Sequence, residues 1–190
     1  MMSSKLNKKQ EERNWLDLPS DVTFNILNRI GMVDILENAQ KVCIAWRKIC
    51  KDPAMWRVIN MNDIPIFGAQ LSRVRMCKHA VDRSQGHLVD ITIVSAYDAE
   101  LHLYVADRSS QLRRLEMAHE FFYGKLTTAA LMKFPLLEEL NLYKTEISKE
   151  EIETVGRFCP MLKTLKVNKR GHRFFNADEG SLTRYSLVQK

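Results

Sequence analysis

The sequence predicts an α/β protein that is mainly α-helical at its N-terminus and continues as a short solenoid with parallel inner strands and outer helices. Two observations predict this fold. Residues 18–56 carry apolar side chains at the spacing of three short helices, separated by glycine and proline. Behind them, one short apolar pattern recurs four times at a nearly constant interval, which is typical of a repeat architecture.

The composition limits what the chain can be. Its 190 residues suffice for one domain, or for one domain with a small module, and 45% of them are hydrophobic, as in globular proteins. The longest apolar runs are only a few residues, so we expect no segment that crosses a membrane. Residues 1–13 are polar, carry mixed charges and lack the apolar core of a secretory signal, which predicts a disordered leader.

The cysteines favour reduced, buried thiols over disulfides. They lie within apolar helical patterns and form no C-x-x-C pair: Cys43, Cys50, Cys77 and Cys159. Without an export signal, this usage is typical of the reducing interior of a cell. Cys77 and His79 are close in sequence, but the other histidines do not complete a four-ligand group. We therefore expect neither a metal nor another cofactor.

The first helix of the N-terminal module is predicted directly after Pro19. Ser20 or Asp21 is the expected cap, and Gly31 is the expected left-handed residue at the helix end. Its apolar stripe consists of Val22, Ile26, Leu27 and Ile30.

Two more helices follow in this module. Asp34 is the expected cap of the second, and the third covers residues 38–50 and ends ahead of Pro53. Met55 and Trp56 then return to pack at the base of the module. These roughly 40 residues carry more large apolar side chains than so small a unit can bury. Some of them must therefore contact the following domain or a partner protein.

The recurring pattern behind the module is L-x-x-L-x-L with conservative replacements. It starts at Leu88, Leu112, Leu137 and Leu162, and the starts are 24, 25 and 25 residues apart. Leucine-rich repeats have periods of roughly 20–29 residues, so the spacing predicts this architecture. Each unit reads as strand, turn and helix, and neighbouring units must stack because one repeat cannot bury its own apolar face.

The side chains between the strand leucines are expected to point out of the concave sheet, because strand residues alternate in direction. This row is either a recognition surface or a plain solvated face, and the sequence leaves both open. The candidate target-facing residues are Arg114, Glu116, Glu139, Asn141, Tyr143 and Lys166.

Two other functions find little support in the sequence. The densest basic patch comprises Lys163, Lys166, Lys169, Arg170, His172 and Arg173. No nucleic-acid reading motif accompanies this patch, so we interpret it as a solvated face of a basic protein. The chain also contains no G-x-S-x-G, no glycine-rich phosphate loop, no H-E-x-x-H and no catalytic Cys/His grouping. These absences predict a non-catalytic protein.

The N-terminal module resembles an F-box. The resemblance rests on the ordered series Leu18-Pro19, Ile26-Leu27, Ile30, Asp34-Ile35-Leu36, Val42-Cys43, Trp46-Arg47 and Asp52-Pro53-x-x-Trp56. It implies that residues 14–60 bind the Skp adaptor of SCF-type cullin–RING ubiquitin ligases. Carried over position by position, it implies an adaptor-binding surface of Leu18, Pro19, Ile26, Leu27, Ile30, Leu36, Val42, Cys43 and Trp46. For each of these residues, packing inside the module is the alternative.

An F-box followed by leucine-rich repeats, here at residues 61–176, is similar to a plant subfamily of F-box/LRR-repeat proteins. Five segments carry this resemblance: residues 14–15, 40–43, 51–56, 79–85 and 106–109. Beyond residue 176 the similarity ends, so we expect a shortened member with an irregular tail at residues 177–190. Its last repeat would then expose an apolar end around Leu165 and Val167.

The resemblance implies a substrate-recognition subunit of an SCF ligase that acts in the nucleus or the cytoplasm. The F-box would bind the Skp adaptor, and the repeats would bind a target protein that the sequence does not identify. One alternative is a truncated decoy that binds the adaptor but no substrate. Another is a basic solenoid that binds nucleic acid, whose association would fall steeply with added salt.

Overall fold

The computed structural model describes residues 15–63, 70–94, 98, 100–118, 127–143, 148–168 and 183–186. In this part of the chain a group of short N-terminal helices is followed by strands that alternate with helices and join into one sheet. The predicted α/β fold, with a helical N-terminus and a parallel repeat sheet behind it, is therefore confirmed. The predicted leader, residues 1–13, lies outside the described residues.

The N-terminal module consists of short helical segments. They are a 3-10 turn Trp15–Asp17, α1 Ser20–Leu27, α2 Met32–Asp34, a π-helical segment Ile35–Ala39, α3 Gln40–Val42, α4 Ile44–Cys50 and a 3-10 turn Pro53–Trp56. Helix α4 packs against α1 and α3. As predicted, Met55 and Trp56 are buried, and the Trp56 indole Nε1 donates a hydrogen bond to the Cys50 carbonyl at 2.9 Å.

The predicted helix at residues 38–50 is interrupted at Cys43. The backbone there is extended, with φ −157° and ψ 172°, so α3 ends and α4 begins at this residue. The Cys43 Sγ accepts a weak hydrogen bond from the Trp46 amide at 3.4 Å, which caps α4. The sequence pattern missed this break because the apolar spacing continues across it.

The expected caps of the first two helices are also wrong. Neither Ser20 nor Asp21 caps α1; instead, Thr23 Oγ1 donates to the Pro19 carbonyl at 3.1 Å. Asp34 lies at the end of α2, where its carboxylate accepts a hydrogen bond from Asn38 Nδ2 at 2.8 Å. Gly31 has φ −63° and ψ 159° and is the extended residue that precedes α2, not a left-handed helix end.

The described strands form one sheet in the order of the sequence. They are β1 Val58–Asn60, β2 Asp90–Val94, β3 Arg114–Ala118, β4 Glu139–Tyr143, β5 Thr164–Asn168 and β6 Thr183–Ser186. Strands β1 to β5 run parallel, and their register places Ile91, Leu115, Leu140 and Leu165 side by side, all buried. The four predicted repeat strands are thus confirmed.

Strand β1 was not predicted, although its sequence follows the repeat pattern. Trp56, Ile59 and Met61 occupy the three apolar positions of L-x-x-L-x-L, and all three are buried. The register pairs Ile59 with Ile91, which confirms the equivalence. Because Trp and Met replace leucine here, a search for leucines does not detect this first unit. Trp56 therefore belongs both to the N-terminal module and to the repeats.

The helices between the strands pack side by side in chain order. They are α5 Gln70–Ser84, α6 Leu101–Arg108, α7 Thr128–Leu131 and α8 Lys149–Phe158. Their buried faces include Cys77, Val81, Val105 and Val155, and the predicted helices between the repeat strands are confirmed. None of the helices in the described part of the chain has both the length and the apolar character of a membrane span.

The end of the sheet differs from the prediction. Within the tail that was expected to be irregular, Thr183–Ser186 form β6, which pairs antiparallel with β5. Leu165 and Val167 are buried, whereas the sequence predicted an exposed apolar end. The hydrogen-bonding groups along the free edge of β5 favour pairing with any available extended segment. A search for parallel L-x-x-L-x-L units does not detect an antiparallel strand.

Candidate functional site

Two exposed apolar side chains flank the break between α3 and α4. Val42 is 60% exposed and Ile44 is 75% exposed, whereas Cys43 between them is half-buried. Because the chain is extended at Cys43, both neighbours project from the module. Trp15 is also largely exposed on the same module. Neighbouring exposed apolar side chains such as Val42 and Ile44 are typical of a surface that another protein covers.

The nine residues predicted for this surface differ in burial. Pro19 and Val42 are exposed, while Leu27 and Leu36 are buried at 1% and 7% exposure and pack in the core of the chain. For these two, the structure fits the alternative of packing inside the module. The remaining five are half-buried: Leu18, Ile26, Ile30, Cys43 and Trp46.

Ile44 was not predicted, although it is more exposed than Val42. Its signal in the sequence is the uninterrupted apolar run Val42-Cys43-Ile44. Three consecutive residues of a continuous helix point in three directions, and so cannot all face one core. Such a run therefore indicates either a break in the helix or an exposed apolar side chain, and both occur here.

The outward row of the sheet forms a polar network centred on Arg114. Its guanidinium donates to Asp90 at 2.8 Å and to Glu116, and it lies 3.8 Å from a Glu139 oxygen. Lys166 donates to the same Glu139 at 2.8 Å. The network therefore links residues of β2, β3, β4 and β5, which the parallel register places side by side.

Asn141 is more buried than Glu116, another buried member of this network. Its Nδ2 donates to Glu139 at 2.8 Å and to Glu116 at 3.3 Å, and the residue is only 1% exposed. Tyr143 and Lys166 of the predicted row are half-buried. The hydrogen bond from Lys166 lowers the pKa of Glu139, against the opposing effect of partial burial. The row is therefore an ordered set of paired charges, more buried than a freely solvated face.

The predicted basic patch is only partly described. Lys163 donates to Glu138 at 2.7 Å, and Arg113 donates to the same carboxylate at 2.6 Å. Together with the bond from Lys166 to Glu139, these contacts pair both described lysines of the patch with acids. The other members, Lys169, Arg170, His172 and Arg173, lie outside the described residues.

The buried cysteines have no feature of reactive groups. Burial raises the pKa of the Cys77 thiol to about 12 and that of the Cys159 thiol to about 11. Thiols of this kind stay protonated and are poor nucleophiles. Across the described ranges, no three His, Cys, Asp or Glu side chains are grouped so that they could hold a metal ion.

Comparison with known proteins places this architecture in a family. Residues 15–62 match the F-box-like family model, and residues 97–189 match the model for the LRR repeats of FBD-associated F-box protein At5g56370. Putative F-box/LRR-repeat protein 9 of Arabidopsis thaliana is 43% identical over 173 residues, which cover 86% of this chain and 69% of that protein. The chain belongs to the F-box/LRR-repeat family.

Other Arabidopsis relatives support the same assignment. Putative F-box/LRR-repeat protein 23 is 44% identical over 90% of this chain and 38% of its own length. F-box protein SKIP19 is 45% identical over 84% of this chain and 53% of its own length. The chain thus spans about half the length of several relatives that it matches. The F-box match covers the N-terminal module together with β1, which shows where the exposed pair Val42 and Ile44 lies in the family's domain plan.

Proposed function

We propose that this chain is the substrate-recognition subunit of an SCF-type cullin–RING ubiquitin ligase. F-box domains in general bind Skp adaptors, and F-box/LRR-repeat proteins are in general non-catalytic subunits. The observation that carries the proposal is the exposed apolar pair Val42 and Ile44 within the F-box match. The chain itself would perform no chemistry; it would raise the effective concentration of a target beside the ubiquitin-conjugating enzyme.

The adaptor surface that we propose centres on the break at Cys43. Val42 and Ile44 would be its apolar anchors, because a few side chains that become buried in an interface carry most of its binding energy. Leu27 and Leu36 would support this surface from the core, since both are buried in the free chain. The half-buried and exposed positions that would surround the anchors are Leu18, Pro19, Ile26, Ile30, Cys43 and Trp46.

The target surface that we propose is the polar row on the sheet. Arg114, Glu116, Glu139, Asn141 and Lys166 are already held by mutual hydrogen bonds and ion pairs. Ordered side chains lose less conformational entropy when a partner binds than mobile side chains do. Tyr143, half-buried at the end of β4, adds an aromatic group to this row.

Calorimetric titration with the Skp adaptor tests the first half of the proposal. Val42→Asp would bury an unpaired charge in the interface, so we expect a loss of affinity of about 100-fold. Val58→Asp is a matched control, because Val58 is 61% exposed but lies on β1 of the sheet. Equal affinities of wild type and Val42→Asp would contradict the proposed surface.

Affinity capture from cells with the proteasome inhibited tests the second half. We expect the wild type to retain the adaptor and a target protein, and a Tyr143→Ala, Lys166→Glu double variant to retain the adaptor alone. If the wild type also recovers the adaptor alone, the chain is a decoy and not a receptor. If association instead falls steeply with added salt and is lost after nuclease treatment, the chain binds nucleic acid.

A further inference from the structure

The side chain of Arg83 forms hydrogen bonds between the repeats and the F-box. It lies near the end of α5, in the tripeptide Asp82-Arg83-Ser84. Its Nη2 donates to Gln40 Oε1 at 2.8 Å, and its Nη1 donates to the Cys50 carbonyl at 3.2 Å. These contacts join positions 43 and 33 residues apart in the sequence. The side chain thus reaches from the first repeat helix to both α3 and α4.

The two residues that accept hydrogen bonds from Arg83 also make hydrogen bonds to other residues of the F-box. The Cys50 carbonyl also accepts the Trp56 indole at 2.9 Å, and the Arg83 guanidinium carbon lies 5.4 Å from the centre of the Trp56 ring. The Gln40 side-chain nitrogen donates to the Leu36 carbonyl, and the Gln40 backbone carbonyl accepts from Arg47 Nε at 3.0 Å. Arg83 therefore contacts the helices on both sides of the extended residue Cys43.

The third nitrogen of Arg83 is held within its own helix. Arg83 Nε donates to His79 Nε2 at 3.1 Å. Partial burial and the charge of Arg83 lower the pKa of His79, which favours the neutral ring that can accept this bond. Since all three nitrogens are engaged, the planar guanidinium has a fixed orientation, which an ammonium group on a flexible stem would not have.

The next repeat provides an internal comparison. The tripeptide recurs as Asp107-Arg108-Ser109, 25 residues further on. Arg108 Nε lies 3.1 Å from Asp82, and its guanidinium carbon is 3.8 Å from the centre of the Tyr104 ring. These partners belong to α5 and α6, so Arg108 joins one repeat to the next. The same sequence feature joins repeat to repeat at Arg108 and F-box to repeat at Arg83.

We propose that Arg83 is the positioning residue that fixes the orientation of the F-box on the repeats. By bracing Gln40 and Cys50, it would hold the Val42–Ile44 surface at a constant distance and angle from the polar row of the sheet. This geometric claim is independent of the proposed function. Its consequence for a ligase, a constant placement of the target relative to the adaptor, rests on that function.

The distance between the two parts tests the proposal directly. Spin labels are attached through genetically encoded azido groups at Asn25 in the F-box and Ser110 in the repeats, both exposed, so that the cysteines stay untouched. Pulsed electron paramagnetic resonance should give one narrow distance distribution for the wild type. We expect a broad or shifted distribution for Arg83→Gln, an intermediate one for Arg83→Lys, and a narrow one for the matched control Arg108→Gln.

Two results would overturn the proposal. One is a wild-type distribution in the folded Arg83 variants, and the other is equal broadening in Arg108→Gln, which would indicate a general effect of the helix layer. Circular dichroism first establishes that each variant is folded. If Arg83→Gln does not fold, Arg83→Lys carries the test. If neither folds, Gln40→Met, which removes only one acceptor, carries it with the same expected broadening.

Adaptor affinity separates the positioning role from the proposed function. We expect Arg83→Gln to bind the Skp adaptor about tenfold more weakly than wild type, which corresponds to about 1.4 kcal/mol. Arg108→Gln should bind like wild type, since its contacts lie within the repeats. Unchanged affinity in a folded Arg83→Gln would overturn the link between Arg83 and the adaptor surface. Failure of the wild type to bind would overturn the proposed function, and the distance measurement would still decide the role of Arg83.

Discussion

The Val42–Ile44 surface of the F-box and the outward face of the repeat sheet differ in chemistry. The F-box exposes large apolar side chains at Val42 and Ile44, while its buried residues belong to the same core cluster as those of the repeats. The repeats bury a regular ladder of apolar residues and expose charges that are mostly paired, such as Glu138 with Arg113 and Lys163. An apolar surface depends on a partner to cover it, whereas a paired polar surface is stable in water without one. The comparison supports the proposal that a partner covers Val42 and Ile44.

The largest effect is expected in the ladder of the repeats. Leu140 is fully buried between Leu115 and Leu165, so Leu140→Ala should lower the free energy of unfolding by about 3 kcal/mol. Leu136→Ala is the control, because Leu136 is 40% exposed in the turn before the same strand. Urea denaturation measures both. Equal losses for the two variants would contradict the assignment of Leu140 to the core.

A second effect should appear at Trp56, which both parts share. Trp56→Phe keeps an aromatic ring and removes the donor to the Cys50 carbonyl, so we expect a loss of about 1–2 kcal/mol. Hydrogen exchange should show lower protection in both α4 and α5, because Arg83 also binds this carbonyl. Trp15→Phe, at an exposed position, is the control. Lower protection in α4 alone would show that the two parts are more independent than the contacts indicate.

The repeats could be predicted because the same apolar residues recur at a nearly constant interval in the sequence. Leucines or their equivalents at intervals of 24 and 25 residues set the strands, and the observed register follows those intervals. Strand β1 escaped prediction because Trp56 and Met61 replace leucine. Strand β6 escaped because its antiparallel pairing with β5 has no repeat signature. The leucine pattern thus predicts only those strands whose apolar positions repeat it.

The site could be predicted only in part. Val42 was predicted for the adaptor surface, and it is exposed; Ile44 was missed, since the break at Cys43 is not visible in the apolar spacing. Helical spacing shows that a face is apolar but not which partner covers it. For this reason Leu27 and Leu36 could not be separated from Val42 by sequence. The Arg83 contacts span 33 and 43 residues, beyond the reach of any local pattern.

A third effect should appear in the polar row and depend on pH. The pKa of Glu139 is lowered in the folded chain, mainly by Lys166, so its contribution to stability is present above its ordinary pKa and is lost as pH falls through the lowered value. Glu139→Gln should therefore lower stability by about 1 kcal/mol near neutral pH. Denaturation of both proteins at about pH 7 and about pH 3 should show a smaller difference in acid. A difference that is equally large at the lower pH would indicate lost packing and not lost charge.

The smallest effect is expected in the helix layer. There the folded chain favours the neutral form of a histidine, whereas in the polar row it favours the charged form of Glu139. His102 of α6 is buried, and its Nε2 lies 3.3 Å from Thr127 Oγ1, the hydroxyl that caps α7. Burial lowers the pKa of His102, although Asp98 and Glu100 oppose this effect. The folded chain thus favours the neutral ring, and its stability should fall as pH drops below the ordinary histidine value.

His102→Gln should reduce this slope when unfolding is measured between about pH 7.5 and about pH 5.5. Some slope will remain, because His79 on α5 also has a lowered pKa. His87→Gln is the control, since His87 is exposed in the turn before β2. If His102→Gln keeps the full slope, the histidine is not held neutral by burial. His79, which accepts a hydrogen bond from Arg83 at the join to the F-box and also has a lowered pKa, would then be the next histidine to test.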